Sequence, residues 1–423
     1  MSKFLYGIDF GTTNSALSIF DEEKNEITET IIVPSILYFQ SEQSPSQPLN
    51  YVVGEEAIAA YLSDGMKGRF MKSIKRILPR SSFIETRIHH KKLNASDLVT
   101  LILKELKSRA DQITGTDCRK AIIGRPVFFD DDNTSKDVLA QKRLSKAAEN
   151  AGFDEVRFQF EPIGAAFAYE KTISTKEKVL VADLGGGTTD FTYLELDPAK
   201  IGNKDRREDI IATGGIYIGG DSFDSAFMWE KGTPYFGKHT MYEAAPGKTL
   251  KVPVSLFANI CSWEQMNFFN GLKVKNDIQT YYHYSKQDKT FKNLITLIDN
   301  NLGYSVFQTI ERTKIELSVQ TTSKFKYSEM EIEIDENISI ETYENVIDKD
   351  LLKISRYLDT FLLQHQINPD EINSLFLTGG TSMVLAVKNL FKTRFPNIPL
   401  HTGDNFMSVA KGLAYSGYLF NES

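Results

Sequence analysis

Cysteine is scarce in this sequence, and long hydrophobic runs are absent. The 423 residues include two cysteines, Cys118 and Cys261, which stand apart and without metal-ligand spacing. Lone thiols fit a reducing compartment, and no disulfide framework is expected. No apolar run approaches the roughly 20 residues of a membrane span. We therefore expect a cytoplasmic globular protein that has no membrane partner.

The chain also has no excess of positively charged residues. The formal net charge is −7, which argues against nucleic acid as the main partner. The first nine residues already have a strand pattern, with no charged segment ahead of a long apolar one, so no signal peptide is expected. His89 and His90 have no partners at ligand spacing and do not predict a metal site.

Strand and helix patterns alternate along the chain, which favours an α/β architecture. At about 150 residues per domain, the length allows two to four units with ample core. Strands are predicted at 4–10, 121–123, 179–182, 189–196 and 375–378. Helices are predicted at 97–110, 135–151, 161–169 and 408–418. The basic segment 67–80 has an apolar stripe that favours a packed helix, with a membrane-surface helix as the alternative.

The sequence contains the same turn twice. Residues 9–13, Asp-Phe-Gly-Thr-Thr, follow the first strand, and residues 183–190, Asp-Leu-Gly-Gly-Gly-Thr-Thr-Asp, follow a strand near the middle. Each turn leads into a second apolar run and so predicts a β-hairpin. Glycine lets backbone N–H groups approach an anion closely, while carboxylates suit a metal bound to phosphates. One copy alone could be a tight turn, but two copies favour two related lobes that face one nucleotide.

Two further glycine pairs stand next to predicted elements. Gly219 and Gly220 precede a predicted helix start, and Gly379 and Gly380 follow a predicted strand. A helix N-terminus binds anions, and bare glycine backbone lets a nucleoside lie flat against it. Each pair taken alone could equally be an ordinary capped turn.

These four elements, in this order, resemble the nucleotide-binding domain of DnaK-type (heat-shock-70) chaperones, within the actin and sugar-kinase superfamily. The run 183–190, together with Glu-Pro-x-x-Ala-Ala-x-Ala-Tyr at 161–169, narrows the resemblance to the chaperone branch. The resemblance implies an α/β, bilobal actin-like ATPase fold, in which two ribonuclease-H-like lobes carry inserted subdomains. Lobe I would span 1–173, with an insert at about 38–115. Lobe II would span 174–423, with an enlarged insert at about 221–335 and a final helix, about 405–420, that returns to lobe I.

The resemblance also assigns roles at the phosphate end of the site. Asp9, Asp183 and Glu161 would hold Mg²⁺, mostly through water. Lys75 would reach the γ-phosphate, Thr188 would face it and the attacking water, and Asp190 would orient that water. The remaining contacts to ATP or ADP at this end fall to Gly11, Thr12, Thr13, Asn14, Gly185, Gly186, Gly187, Gly219, Gly220 and Asp221.

At the nucleoside end the resemblance implies a second set of residues. It consists of Glu311, Lys314, Ile315 and Ser318 on one helix face, Gly379, Gly380, Thr381 and Met383 around the second glycine pair, and Asp404. Family members sandwich adenine between arginines, whereas this chain has Ile315 and Met383 at those positions. We therefore expect base recognition to differ more than phosphate chemistry.

The implied function is Mg²⁺-dependent ATP binding and slow hydrolysis. The protein would act as a nucleotide-driven switch or chaperone-like protein that meets a protein client or co-chaperone. In length and ending it is similar to truncated, YegD-type members, because only a short helix is expected after residue 404, without a peptide-clasping β-sandwich or a helical lid. Three alternatives stay open: a small-molecule (sugar-type) kinase, a non-hydrolysing nucleotide-binding scaffold and a filament protein.

Overall fold

The computed structural model of the chain describes residues 3–41, 48–65, 67–129, 134–201, 203, 206–262, 269, 271–402 and 407–420. The chain divides into two compact units. The first unit consists of Met1–Tyr217, Tyr357–Ser382 and Lys392–Ser423, and the second of Ile218–Arg356 and Met383–Phe391. Within the described ranges, no helix is both long and apolar enough to cross a membrane.

The elements are numbered here in chain order. The strands are β1 (Phe4–Asp9), β2 (Asn14–Asp21), β3 (Glu26–Pro34), β4 (Leu37–Phe39), β5 (Val52–Val53), β6 (Arg69–Met71), β7 (Thr86–Ile88), β8 (Lys91–Leu93), β9 (Lys120–Arg125), β10 (Glu155–Phe160), β11 (Glu177–Leu184), β12 (Thr189–Leu196), β13 (Ile210–Ile216), β14 (Met241–Ala245), β15 (Lys248–Lys251), β16 (Thr322–Glu329), β17 (Ile332–Ser339), β18 (Ser374–Thr378) and β19 (Leu400–Thr402). The α-helices are α1 (Glu55–Ser63), α2 (Ala95–Thr114), α3 (Thr134–Ala151), α4 (Glu161–Glu170), α5 (Gly220–Phe227), α6 (Val254–Ile260), α7 (Leu272–Tyr284), α8 (Lys289–Asp299), α9 (Gly303–Leu317), α10 (Ile340–Gln364), α11 (Leu385–Arg394) and α12 (Ser408–Tyr415).

Two five-stranded sheets of the first unit have the same topology. One has the order β10-β9-β1-β2-β3, and the other has the order β19-β18-β11-β12-β13. In each sheet, three antiparallel strands that follow one another in sequence are extended by two parallel strands. The two repeated turns join β1 to β2 and β11 to β12, which confirms both predicted hairpins.

Helix α2 packs its apolar face into the core that also contains β1. Leu98, Ile102 and Leu106 are fully buried there, as the helical spacing predicts. The helix begins with reciprocal hydrogen bonds between Asn94 and Asp97, which satisfy two backbone N–H groups that the first turn would leave unpaired. The predicted helices corresponding to α2, α3, α4 and α12, and the strands corresponding to β1, β9, β11, β12 and β18, are confirmed.

Helix α12 lies directly against β1 and α4 because glycine removes the side chains that would separate them. A Cβ atom at Gly7 of β1 would lie 2.2 Å from the backbone nitrogen of Ala414. A Cβ atom at Gly412 would lie 1.9 Å from the carbonyl oxygen of Gly164 in α4. The surrounding core contains residues of both five-stranded sheets, including Leu5, Ile122, Val181 and Phe376, together with Leu413 of α12.

The helix predicted at 67–80 is wrong. This segment contains the strand β6, which pairs with β4, and then a 3-10 helix at Ile74–Ile77. Ser73 has a φ of 57°, a left-handed conformation that interrupts any continuous helix between the two pieces. The apolar stripe is nevertheless real, because Ile74 and Leu78 are buried in the core of the first unit.

A buried ion group links distant parts of the first unit. The guanidinium of Arg206 donates hydrogen bonds to both carboxylate oxygens of Glu170, at 2.6 and 3.1 Å. It also pairs with Asp209, and all three side chains are almost completely excluded from solvent. The charges are therefore stabilised by one another and not by water.

In the second unit, the hairpin of β16 and β17 packs against α9. Alternate residues of β16, such as Phe325 and Tyr327, are buried while Lys324 and Lys326 are exposed, which is the pattern of a half-buried strand. Helix α5 begins at Gly220, so the helix start predicted after the first glycine pair is confirmed.

Candidate functional site

A cavity of about 720 Å³ lies in the first unit, where β1, β11 and β18 end. Strands β11 and β18 run parallel, so their carboxyl ends reach the same edge of the sheet. Both repeated turns line this cavity. The predicted site residues that the cavity brings together are Asp9, Gly11, Thr12, Thr13, Asn14, Lys75, Glu161, Asp183, Gly185, Gly186, Gly187, Thr188, Asp190, Gly379 and Gly380.

Lys75 and Glu161 form an ion pair in the cavity. Lys75 Nζ donates a hydrogen bond to Glu161 Oε1 over 2.8 Å, and the side chains are only 15% and 10% exposed. Burial alone would lower the pKa of Lys75, but the carboxylates of Glu161 and Asp9 outweigh it and raise that pKa. Lys75 is therefore held as a cation, which is the form that binds a phosphate.

Asp9 and Asp183 stand at the ends of β1 and β11, and both line the cavity. Burial, together with the nearby carboxylates of Glu161 and Asp183, raises the pKa of Asp9 to about 8, although Lys75 opposes the shift. Burial also raises the pKa of Asp183, against a 2.9 Å hydrogen bond that Thr378 Oγ1 donates to its Oδ1. The cluster thus contains more buried carboxyl groups than Lys75 alone can pair with, which disfavours ionisation of all of them together.

Thr188 and Asp190 contact each other at the start of β12. Thr188 Oγ1 donates a hydrogen bond to Asp190 Oδ2 over 2.9 Å. The surrounding protein, together with the carboxylate of Asp183, raises the pKa of Asp190 to about 7, even though solvent in the cavity reaches part of its side chain. A hydroxyl and a carboxylate joined in this way can both hydrogen-bond one water molecule.

The second glycine pair closes the cavity wall after β18. Gly379 has a φ of 77°, and a Cβ atom there would lie 2.3 Å from the carbonyl oxygen of Leu184. Only glycine fits this left-handed conformation and this close approach without strain. Thr381 does not line the cavity, but its Oγ1 donates a hydrogen bond to the carbonyl oxygen of Gly185 over 2.8 Å and so ties the two glycine turns together.

Several cavity residues were missed by the sequence reasoning. Thr378 could have been found, because it ends β18 directly before the glycine pair and therefore shares the edge of Asp183. Arg76 could have been found as the neighbour of Lys75. The aromatic residues Phe128 and Phe129 line the same cavity, but they belong to no motif that marks them.

The other predicted site residues, from both the phosphate and the nucleoside end, belong to the second unit, apart from Asp404, which lies outside the described residues. These residues of the second unit are Gly219, Gly220, Asp221, Glu311, Lys314, Ile315, Ser318 and Met383. Lys314 Nζ donates to both carboxylate oxygens of Asp224 at 2.8 Å, and Ser318 Oγ donates to the carbonyl oxygen of Lys314. Ile315 is 59% exposed and Met383 is 38% exposed.

The donor set at the cavity suits a hydrated Mg²⁺ ion. Where the structure describes the chain, no three His, Cys, Asp or Glu side chains are close enough to hold a metal ion by themselves. Asp9, Asp183 and Glu161 nevertheless offer the carboxylate oxygens that Mg²⁺ prefers. Burial raises the pKa of all three carboxyls, and neighbouring carboxylates add to the shift at Asp9 and Glu161, so a bound cation would favour their ionised form.

The two sheets of matching topology and their glycine turns fit an actin-like ATPase fold. The family described as "Hsp70 protein" matches residues 5–232 and 276–422 of the chain. The chain therefore belongs to the Hsp70 family, and the resemblance drawn from its motifs is confirmed. That family implies a chaperone-type ATP-binding domain.

Curated relatives agree with this assignment. "Chaperone protein DnaK" of Thermosipho melanesiensis is 27% identical over 429 residues, which cover 97% of this chain and 58% of the relative. Proteins of the same name from Metamycoplasma hominis and Thermotoga petrophila are 31% and 33% identical over 230 and 234 residues; these matches cover 52% and 53% of this chain but 34% and 35% of the relatives. The matches thus cover from about a third to little more than half of the length of these relatives.

Proposed function

We propose that this protein binds ATP together with Mg²⁺ and hydrolyses it slowly. The observation that carries the proposal is one cavity that collects both repeated turns, the Lys75–Glu161 pair and the carboxylates of Asp9 and Asp183. A triphosphate needs such a mixture: backbone N–H groups and a lysine for its oxygens, and carboxylates for its metal. Membership of the Hsp70 family supports the same reading.

In this proposal, hydrolysis depends on positioning and charge neutralisation. Asp9, Asp183 and Glu161 hold Mg²⁺ mostly through water, and the ion neutralises charge on the phosphate oxygens when bound. Lys75 binds the terminal phosphate. Thr188 and Asp190 orient the water that attacks in line with the bond that breaks. We expect slow turnover because these residues position the water without a strong base to activate it.

Phosphate release by purified variants tests this assignment. Asp183→Asn removes a carboxylate that the metal needs, and Lys75→Ala removes the cation at the terminal phosphate. Each should lower the hydrolysis rate by roughly 100-fold or more, the range seen when one electrostatic group of an active site is removed. Lys91→Ala, which removes an exposed lysine of β8, is the control. If both site variants hydrolyse ATP at the wild-type rate, the assignment is wrong.

A second candidate is a scaffold that binds nucleotide without turning it over. The observation that favours it is the exposed, aliphatic character of Ile315 and Met383, where the family resemblance leads to arginines. Calorimetry with ATP, ADP and GTP, each with and without Mg²⁺, separates the candidates when it is combined with a hydrolysis assay. Tight binding of ATP that persists for hours would favour the scaffold.

We further propose that the fold is bilobal and that its closure on ATP acts as a switch read by a partner. A protein client or a co-chaperone is the partner that the relatives' printed name suggests. A cytoplasmic location stays a prediction, which rests on two cysteines that are both buried as free thiols. Small-angle scattering with and without ATP would test the closure, because an unchanged radius of gyration would contradict the switch.

A further inference from the structure

Arg76 places another cation in the cavity, directly after Lys75 in the chain. Both residues belong to the 3-10 helix at Ile74–Ile77 and both line the cavity. The guanidinium of Arg76 lies against the backbone of Gly187, the third glycine of the second turn. A Cβ atom built at Gly187 would be 1.5 Å from Arg76 Nη2 and 2.4 Å from its Cζ.

One hydrogen-bond donor of the Arg76 guanidinium lacks an acceptor among the described residues. Its Nε atom is buried and has no hydrogen-bond partner in the part of the chain that the structure describes. Lys75, by contrast, is paired with Glu161 at 2.8 Å. A buried polar group without a partner is unfavourable, and the deficit is larger when the group is charged. The Arg76 guanidinium is therefore suited to bind an anionic ligand that enters the cavity.

The contact also explains why residue 187 is glycine. Gly187 has no positive φ that would require glycine for conformational reasons. At Gly185, in the same turn, a Cβ atom would meet nothing closer than 3.6 Å. The bare backbone at 187 is instead the surface on which the flat guanidinium of Arg76 rests.

We propose that Arg76 binds a terminal phosphoryl group and so makes the site prefer ATP over ADP. The proposal rests on the proposed function, because it extends the same nucleotide site. Arginine matches the geometry of phosphate oxygens with a planar fork of donors, which a lysine lacks. The same chemistry would recognise the γ-phosphate of bound ATP and free phosphate beside bound ADP.

Isothermal calorimetry of the whole chain with ATP and with ADP tests the proposal. Arg76→Ala should weaken ATP binding by about tenfold or more, the loss expected for a charge-assisted hydrogen bond, and leave ADP affinity nearly unchanged. Arg76→Lys should recover part of the loss because it restores the charge without the fork. Arg69→Ala is the matched control, since it removes an exposed arginine seven residues earlier, outside the cavity. Thermal unfolding of each variant identifies any that fail to fold.

Gly187→Ala provides an independent route to the same result. Its methyl group would displace the Arg76 side chain, which is flexible, so the fold should survive while ATP loses its advantage over ADP. In the Arg76→Ala background the same methyl group has no guanidinium to displace. The effects of the two substitutions on the ATP-to-ADP affinity ratio should therefore not add. Additive effects would contradict the contact as the cause.

Titration of phosphate into the ADP complex separates the two sources of the phosphoryl group. If Arg76 also holds free phosphate, phosphate will raise ADP affinity in the wild type and not in Arg76→Ala. If phosphate has no effect while the ATP preference depends on Arg76, the ligand is the γ-phosphate alone. An ATP-to-ADP ratio that is unchanged in Arg76→Ala overturns this inference and leaves the proposed function intact. A wild-type chain that binds neither nucleotide overturns both.

Discussion

Lys75 and Glu161 are 86 positions apart in the sequence, yet their side chains meet at 2.8 Å inside the cavity. The pair joins the 3-10 helix at Ile74–Ile77 to the first residue of α4. The pair holds the Lys75 ammonium group beside buried carboxylates, so a phosphate that enters the cavity must compete with Glu161 for Lys75. Binding and stability are therefore linked through this contact.

Removing only one partner of the pair should destabilise the protein. Lys75→Met leaves Glu161 buried beside Asp9 without its cation, which should lower the free energy of unfolding by roughly 3 kcal/mol. Adding Glu161→Gln should recover much of this loss, because the uncompensated charge disappears. Urea unfolding of the wild type, of Lys75→Met, of Glu161→Gln and of the double variant measures the coupling. A double variant as unstable as the sum of the two single variants would contradict it.

Stability should fall as pH rises in protein free of nucleotide and Mg²⁺. The pKa of Asp9 is raised to about 8, from an ordinary value near 3.9. Between these values the native state keeps a proton that the unfolded state has lost, so the free energy of unfolding decreases with pH. This contribution is fully present below about pH 4 and is lost as pH passes 8.

Asp9→Asn should flatten that decline, since asparagine does not titrate. Unfolding by urea at several pH values between 4 and 9, in the presence of a chelator, measures the slope. Glu29→Gln, which changes an exposed side chain of β3 in the same sheet, serves as the control. An unchanged slope in Asp9→Asn would show that Asp9 titrates normally.

The glycines between α12 and α4 should differ sharply in their tolerance of alanine. At Gly412 a methyl group would lie 1.9 Å from a backbone oxygen, which cannot move away, so overpacking should cost about 1–3 kcal/mol or more. At Gly164 the nearest atom would be 3.2 Å away, and the gain of up to about 1 kcal/mol in helix propensity should offset the strain. Melting temperatures of Gly412→Ala and Gly164→Ala, measured side by side, test the prediction. Equal losses would mean that α12 is not packed as closely as described.

Replacing Arg206 should lower the free energy of unfolding, because it leaves a buried carboxylate without its cation. Arg206→Met leaves Glu170 and Asp209 excluded from solvent without their shared cation, a loss of roughly 3–5 kcal/mol at neutral pH. Asp209 keeps its 2.6 Å ion pair with Lys200, so the uncompensated charge should lie mainly on Glu170. Arg119→Met is the matched control, because Arg119 is 60% exposed and solvent screens its ion pairs, so they should contribute little to stability. Denaturant unfolding of the wild type and both variants at neutral pH makes the comparison.

The elements that the sequence predicts well are those whose pattern is local. Strands such as β1 and β11 are nearly continuous apolar runs that end at an Asp and a glycine turn. Helix α2 combines an apolar stripe with a cap at Asn94. Periodicity, caps and turns act over a few residues, so one sequence suffices to find them.

What the sequence did not predict depends on contacts between distant segments. The stripe at 67–80 has helical spacing, but pairing of β6 with β4 decides its structure. The guanidinium of Arg76 contacts Gly187, more than one hundred residues away, and no local pattern marks that meeting. The hydrogen bond between Thr378 and Asp183 likewise exists only because β18 pairs with β11.

The close fit of α12 on Gly7 has a consequence for the order of folding during synthesis. Strand β1 is synthesised well before the helix that covers its glycine, which is made at residues 408–415. At a synthesis rate of roughly 5–20 residues per second, on the order of tens of seconds pass between the synthesis of β1 and that of α12. During that interval its apolar surface is open to other chains. The nascent protein is thus exposed to aggregation through the uncovered surface of β1 until α12 has been synthesised.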